Sequence, residues 1–128
     1  MSIINELQRK SSFISYDPAD DDDIEAAETA ISVRFADDYK EYIKAMGFAV
    51  YEGHELTGIC KSERLSVIDV TLSERKDSCD ECKEWYVVEQ IHMDGIVIWQ
   101  SSTGKVYRTL FGQMPLKICD SLLEYINL

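Results

Sequence analysis

The sequence predicts an α+β fold, in which a mainly antiparallel or mixed sheet is flanked by N-terminal helices and one C-terminal helix in a single domain, residues 1–128. Three observations lead to this prediction. Apolar residues recur with a helical period early in the chain, short β segments with tight turns follow, and the last segment is helical again in its spacing. Strands joined by tight turns pair antiparallel, and helices gathered on one side of the sheet give an α+β architecture.

The first predicted helix covers residues 3–14. Its apolar residues, together with one serine, fall near a single helical face. That face is formed by Ile3, Ile4, Leu7, Ser11 and Ile14. Pro18 ends the helical region, because proline disfavours helix in the residue before it.

Two further helices are predicted before residue 48. Residues 20–23 are all aspartates, which favour the cap and the first turn of a helix that continues to about Ser32. After an apolar connector, a third helix begins at Ala36 or Asp37 and ends at Gly47 in a left-handed conformation. Its apolar face consists of Tyr39, Tyr42, Ile43 and Met46.

The remainder of the chain is predicted to be mostly β. Strands at 48–51 and 54–59 surround a turn at Glu52-Gly53, Ser66 caps a helical stretch, and residues 73–84 form a polar loop. Three more predicted strands are 85–91, 96–100 and 105–109, joined by turns at 92–95 and 101–104. The closing helix is predicted to begin near Pro115. Its inward residues are predicted to be Leu116, Cys119, Leu122, Leu123 and Ile126.

The charge balance restricts the kind of partner. Thirteen Lys and Arg stand against 24 Asp and Glu, for a net charge of −11. Nucleic-acid affinity comes largely from basic residues that neutralise phosphates, so the composition argues against a nucleic-acid partner and against docking on an anionic membrane. The window 17–41 holds ten acids and two bases, a field that favours a basic protein partner.

The cellular compartment is predicted from what the sequence lacks. It has no apolar run long enough for a membrane span and no basic region followed by an apolar stretch at its start, so we expect a cytoplasmic protein. Its four cysteines are then expected to be reduced thiols.

A Cys79-x-x-Cys82 pair leaves three interpretations open: half of a zinc site, a redox pair, or neither. A structural zinc site usually needs two such pairs, and the other candidate ligands (Cys60, Cys119, His54 and His92) are singly placed. Acidic neighbours raise a thiol pKa and make the thiol less reactive. We therefore predict no metal and no cofactor.

Catalytic patterns are also missing from the sequence. Neither His54 nor His92 accompanies a recognisable nucleophile motif, and the glycines are too widely spaced for a phosphate-binding loop. The aspartates at 20–23 lack the spaced ligands of a calcium loop, which favours helix capping over cation binding. The prediction is a protein that is not an enzyme.

The third predicted helix, with its flanks, resembles the SUKH superfamily of Smi/Knr-like proteins. The family pattern is an amphipathic helix, a Phe/Leu-Pro-x-Asp-Tyr entry, a tyrosine-bearing helix and a turn that ends in glycine. Ala36 stands where the family usually has proline, and Met46-Gly47-Phe48 replaces its usual Asn-Gly-Gly. The layout continues to the closing segment, so the resemblance spans nearly the whole chain. The matching residues are Phe35, Asp38, Tyr39, Tyr42, Ile43 and Gly47.

The resemblance implies an α+β fold and an immunity protein that binds and neutralises a cognate toxin domain, often a nuclease or a deaminase. A nuclease holds phosphates on a basic surface, which an acidic protein can cover by charge complementarity. The expected partner-binding residues form two acidic groups. The first is Asp20, Asp21, Asp22, Asp23, Glu25 and Glu28, and the second is Glu52, Glu55, Asp77, Asp80 and Glu81.

Two alternatives stay open at this stage. One is a non-catalytic interaction or scaffolding module of the Smi/Knr type with a partner other than a toxin, and the other is a small metal-dependent enzyme that uses the cysteine pair. The chain is expected to be a monomer or a homodimer. Aromatic residues are expected in the core first, with some serving as contact anchors. These are Tyr39, Tyr42, Trp85, Tyr86, Trp99 and Tyr107.

Overall fold

The computed structural model describes residues 2–76, 80–93, 95–110 and 113–128. Within them the chain forms five α-helices, seven strands and a 3-10 helix. The helices are α1 (Ile3–Gln8), α2 (Asp21–Ile31), α3 (Asp37–Met46), α4 (Val67–Arg75) and α5 (Leu122–Ile126), and the 3-10 helix is Asp80–Glu84. The strands are β1 (Ile14–Ser15), β2 (Ala49–Tyr51), β3 (His54–Glu55), β4 (Tyr86–Ile91), β5 (Ile96–Gln100), β6 (Val106–Thr109) and β7 (Leu116–Cys119).

The strands form two antiparallel sheets, in the orders β1-β2-β3 and β4-β5-β6-β7. An antiparallel bridge between Leu56 and Glu89 brings the small sheet against the large one. The predicted α+β class is confirmed, with the strands divided between two sheets.

The predicted N-terminal cap of α2 is confirmed, and α3 ends at Gly47 as predicted. The Asp20 carboxylate accepts a hydrogen bond from the Asp23 backbone N–H at 2.8 Å, which satisfies a donor that the first helical turn leaves free. Ser32 ends α2 in the left-handed conformation. Gly47 was predicted to be left-handed, but with a φ of 73° and a ψ of −71° it has a positive φ outside the left-handed helical region.

The first helix is shorter than predicted. It ends at Gln8, and Ile14, predicted on its apolar face, lies in β1 opposite Val50. Ser11 pairs with Glu52 through a backbone hydrogen bond of 3.0 Å instead of lying on the helix. Beyond Gln8 the predicted helical spacing depended on one apolar residue, Ile14. Backbone pairing of this segment with the β2–β3 hairpin therefore outweighs it.

The closing segment is also different from the prediction. Residues 116–119 form β7 on the edge of the large sheet, and the helix begins only after Ser121, whose hydroxyl accepts from the Glu124 backbone N–H at 3.0 Å. Leu116 is exposed, whereas Cys119 is buried as predicted for a small core residue. The apolar residues of this segment fit both a helical and a strand period. The Ser121 cap decides where the helix starts.

Three other boundaries shift. The predicted strand 54–59 shrinks to β3, α4 runs on to Arg75, and Asp80–Glu84 is a 3-10 helix within the predicted polar loop. In the described parts of the chain, no helix is both long and apolar enough to cross a bilayer.

The main core lies between the helices and the inner faces of both sheets. A smaller cluster on the other face of the large sheet contains Val70 of α4, Cys82, Val87, Val97 and Trp99. Helix α4 therefore closes the second face of the large sheet.

Two glycines let backbone segments approach closely. A Cβ atom at Gly47 would lie 2.0 Å from the Asp17 carbonyl oxygen, and one at Gly58 would lie 1.9 Å from the Gly47 carbonyl oxygen. The chain before α2, the end of α3 and the segment after β3 are thus stacked without room for a side chain.

Candidate functional site

The tyrosines of α3 connect that helix to the small sheet and to β4. The Tyr42 hydroxyl donates to the Thr57 carbonyl at 2.8 Å and accepts from the Ala49 backbone N–H at 3.0 Å. The Tyr39 hydroxyl bonds the Thr57 hydroxyl at 2.9 Å, and that hydroxyl donates to the Val87 carbonyl at 2.7 Å. Burial raises the pKa of both tyrosines, so these hydroxyls remain protonated donors.

Asp38 connects the first turn of α3 to the last helix. Its carboxylate accepts from the Leu122 backbone N–H at 2.7 Å and from the Gln100 side-chain amide at 3.1 Å. An acceptor at the start of α5 satisfies donors that the helix cannot satisfy itself. The most recognisable residues of the sequence therefore hold the fold together, and the candidate site has to be sought on the surface.

A groove of about 500 Å³ between α2 and α3 carries half of the first predicted acidic group. We call it the α2–α3 acidic groove. Its lining includes five carboxylates and two lysines. The carboxylates are those of Asp21, Glu25, Glu28, Asp37 and Glu41, and the lysines are Lys40 and Lys44. The surface is net negative, and α3 contributes two acids that the predicted site omitted.

The members of the first acidic group have different roles. Glu28 is half-buried, accepts from the Phe35 backbone N–H at 2.8 Å and lies 3.6 Å from the Lys40 ammonium, so it fixes the connection between α2 and α3. Asp20 is the helix cap, and Asp21 forms an exposed ion pair with Lys44 at 3.3 Å. Three exposed acids form no ion pair within the described residues, and they are Asp22, Asp23 and Glu25.

The members of the second predicted group come from different elements of the fold. Glu55, on β3, lies beside Glu89 in the second half of β4, whereas Asp80 and Glu81 precede the first residue of that strand. Asp77 lies outside the described residues.

The charges of this second group are also partly neutralised. Arg64 binds both carboxylate oxygens of Glu55, at 2.7 and 2.8 Å, and these hydrogen bonds lower the Glu55 pKa. Asp80 lies 3.5 Å from the Lys83 ammonium, and the Glu52 carboxylate accepts from the Ser11 backbone N–H at 3.3 Å. Among the described members, only Glu81 is exposed without such a contact.

A buried polar cluster surrounds Glu89, which is 3% exposed. Its carboxylate lies 3.1 Å from His54 Nδ1, accepts from the Glu55 backbone N–H at 3.1 Å and accepts from the Tyr125 hydroxyl at 2.5 Å. The Tyr51 ring stacks on His54 with centroids 5.0 Å apart. Burial, followed by the Glu89 charge, raises the pKa of both Tyr51 and Tyr125.

A histidine oriented by a buried carboxylate is an arrangement that can act as a general base, provided that a nucleophile or a water site faces the other ring nitrogen. His54 Nε2 has no hydrogen-bond partner within the described part of the chain. The Glu89 carboxylate accepts from all three of these donors. A structural role, the connection of β3, β4 and α5, is therefore enough to explain the cluster.

The structure describes one cysteine of the pair that suggested a metal site. Cys82 is fully buried in the smaller core cluster, while Cys79 lies outside the described residues. Within the residues that the structure does describe, no group of three or more His, Cys, Asp or Glu could hold a metal ion.

Aromatic residues divide between core and surface. Four of the six predicted ones are fully buried, namely Tyr39, Tyr42, Tyr86 and Trp99. Trp85 and Tyr107 are half-buried and stack with ring centroids 3.9 Å apart. A second stacked pair, Tyr16 and Phe48 at 3.8 Å, was not predicted as a contact site. Only the register of β1 against β2 could have indicated it, since the two residues are far apart in sequence.

Comparisons with known proteins add the family and the fold. A family model described as SUKH_5, SMI1-KNR4 cell-wall, matches residues 1–127. The chain is similar to a solved structure described as the crystal structure of a protein from Pseudomonas syringae pv. tomato, with a TM-score of 0.75 and 14% identity over 98% of this chain and 93% of that one. No curated protein matches the sequence.

Proposed function

Because the chain belongs to the SUKH family of SMI1-KNR4 proteins, we propose that it is an immunity protein that binds a cognate toxin domain and covers its active face. Such a protein performs no chemistry of its own. Its partner is a protein with a basic functional surface, such as a nuclease, and the complex forms in the cytoplasm of the cell that it protects.

The observation that carries this proposal is the acidic surface on and beside α2. The α2–α3 acidic groove has five carboxylates against two lysines, and Asp22 and Asp23 add two more carboxylates in the first turn of α2. A phosphate-binding surface is lined by Lys and Arg, so the two surfaces are complementary in charge. Attraction of this kind raises the rate of encounter and selects against acidic partners.

Co-expression tests the proposal directly. If a large secreted polypeptide with a variable C-terminal domain is encoded beside this gene, that domain is the probe, expressed from an inducible promoter with or without this chain. We expect growth to be rescued by the chain, and the two purified proteins to form a stoichiometric complex that blocks the toxin's activity. Toxicity that persists although the chain is expressed and folded contradicts the proposal.

Binding without protection has a different meaning. A stable complex that leaves the partner fully active would favour the interaction or scaffolding module over the immunity protein. Turnover of a substrate by the isolated chain, lost when one side chain is changed, would contradict both.

A further inference from the structure

The small sheet has one face that packs on the core and one that faces away from it. Ile14 pairs with Val50 and Ser15 with Ala49. Continuing this register by one residue places Tyr16 opposite Phe48, where the Tyr16 N–H donates to the Phe48 carbonyl at 3.2 Å. Residues that are directly opposite in an antiparallel pair share a face, so these four side chains lie on one side of the sheet. Their alternates Ala49 and Tyr51 are buried in the main core.

We call the four side chains Ile14, Tyr16, Phe48 and Val50 the β1–β2 outer face. Ile14 is 53% exposed and Tyr16 is 46% exposed, and both are among the exposed large apolar residues of the described chain. Phe48 and Val50 are half-buried. Exposed apolar side chains that adjoin one another on a sheet face are typical of a protein contact surface.

The anchor of this face is preformed. The rings of Tyr16 and Phe48 stack with centroids 3.8 Å apart and planes inclined by 9°. The Tyr16 backbone N–H bonds the carbonyls of Met46 and Phe48, at 3.1 and 3.2 Å, which fixes the segment that carries the ring. A partner that binds here loses little side-chain entropy on this side of the interface.

A groove of about 540 Å³ lies directly beside the stacked rings. Tyr16, Phe48 and Ile59 contribute its apolar lining, while Asp17 and Asp23 supply carboxylates against the single lysine Lys61. Neither Asp17 nor Asp23 forms an ion pair within the described residues. An apolar centre with a charged rim is the usual anatomy of a protein interface.

We propose that the β1–β2 outer face and its groove dock a basic protein segment that places an aromatic or aliphatic side chain on the stacked rings and an Arg or Lys between Asp17 and Asp23. This rests on the proposed function for the identity of the partner, and it names the surface on which that partner is bound. The neighbouring aspartates of α2 then steer the approach to this face.

The rim argues for a basic partner rather than a second copy of this chain. A two-fold dimer places the same patch of both copies face to face. Both copies would bring the aspartates at 17 and 20–23 to the rim of the same interface, in a protein whose net charge is −11. Repulsion between like charges opposes that contact and favours a cationic one.

The test is a selection of peptides on the purified full chain, with a phage-displayed library of random peptides as the probe at low salt. We expect the enriched peptides to combine Arg or Lys with aromatic or aliphatic residues. The dissociation constant of an enriched peptide should rise about tenfold for Tyr16→Ser. For the double variant Asp17→Asn, Asp23→Asn it should rise about threefold at low salt and less at high salt.

Leu72→Ser is the matched control, because Leu72 is 43% exposed on α4, outside the proposed face. It should leave the peptide affinity unchanged, and all variants should still unfold cooperatively at a temperature well above that of the binding measurement. The docking proposal is wrong if no such peptide is enriched or if Tyr16→Ser binds as tightly as the wild type. A dimer in sedimentation equilibrium that Tyr16→Ser abolishes also overturns it.

The two proposals fail separately. If the wild type and Tyr16→Ser protect cells equally well and bind the toxin domain equally tightly, the docking face is wrong and the immunity function stands. If the wild type binds peptides at this face but protects no cell from the adjacent toxin domain, the immunity function is wrong and the docking face stands.

Discussion

Tyr42 shows how one side chain satisfies two backbone groups in the core. Its hydroxyl serves the Ala49 N–H and the Thr57 carbonyl together. We expect Tyr42→Phe to lower the free energy of unfolding by about 2–3 kcal/mol, because a buried N–H loses its partner. Tyr39→Phe is the matched control and should cost about 1 kcal/mol, since the Thr57 hydroxyl keeps its bond to Val87. Chemical denaturation measures both, and equal losses would contradict this assignment.

Gly58 and Gly53 require glycine for two different physical reasons. A side chain at Gly58 meets the Gly47 carbonyl, whereas Gly53 has open space but a φ of 83°. We expect Gly58→Ala to cost about 3 kcal/mol or more through overlap, and Gly53→Ala about 1 kcal/mol through backbone strain. Thermal and urea unfolding of the two variants measures which one is less stable. A Gly53→Ala variant less stable than Gly58→Ala would contradict this prediction.

Arg64 controls the titration of Glu55. Its two hydrogen bonds lower the Glu55 pKa from its ordinary 4.5. A carboxylate with a lowered folded pKa stabilises the fold above pH 4.5, and this contribution disappears as the pH falls through the folded pKa. In Arg64→Gln the Glu55 pKa should return towards 4.5 in a carboxyl-detected NMR titration. Lys61→Gln, three residues earlier, should leave it in place, and an unchanged pKa in Arg64→Gln would contradict the pairing.

At the scale of elements, α5 depends on a residue that is 84 positions away. Helix α5 has only five residues, too few to persist without tertiary support. Asp38→Ala removes the acceptor of its first N–H groups and should destabilise the protein by about 2 kcal/mol. Hydrogen exchange should accelerate first in α5.

Asp37→Ala is the control for that experiment, since Asp37 is exposed one residue earlier in the first turn of α3. It should cost only a few tenths of a kcal/mol through the helix dipole. Faster exchange spread evenly over all helices in Asp38→Ala, rather than concentrated in α5, would argue against a specific cap.

For the whole molecule, the distribution of charge predicts the kinetics of association. Neutralising four exposed acids of α2 should slow binding of the toxin domain about tenfold at low salt and much less at high salt. The variant combines Asp21→Asn, Asp22→Asn, Asp23→Asn and Glu25→Gln. It retains Asp20 and Glu28, whose carboxylates cap α2 and hold its connection to α3. Stopped-flow or surface-based kinetics gives the rates.

An equal change of charge elsewhere provides the control. Four exposed acids outside α2 are Glu63, Asp80, Glu81 and Glu84. Neutralising them should change the rate by less than about twofold, since steering depends on where the charges lie. If this set lowers the association rate more than the α2 set does, the interface lies at the second acidic group instead.

The sequence alone determined the α+β class, the α2 and α3 helices, the β5 strand and the family, because these depend on local signals. Aspartates in the first turn, a four-residue apolar face and a glycine stop agree with one another along α3, so no distant contact was needed to specify it. The net charge likewise follows from composition, and the prediction of a partner other than a nucleic acid rests on it.

Tertiary structure decided the rest. Segments 9–15 and 116–119 fit more than one period, and their backbone pairing partners, β2 and β6, are known only once the sheets form. Structure also divided the acidic residues into caps, ion pairs and exposed charges, and it placed Tyr16 on Phe48. A contact surface made from residues distant in sequence has no local pattern, because strand register sets it and register is a property of the folded sheet.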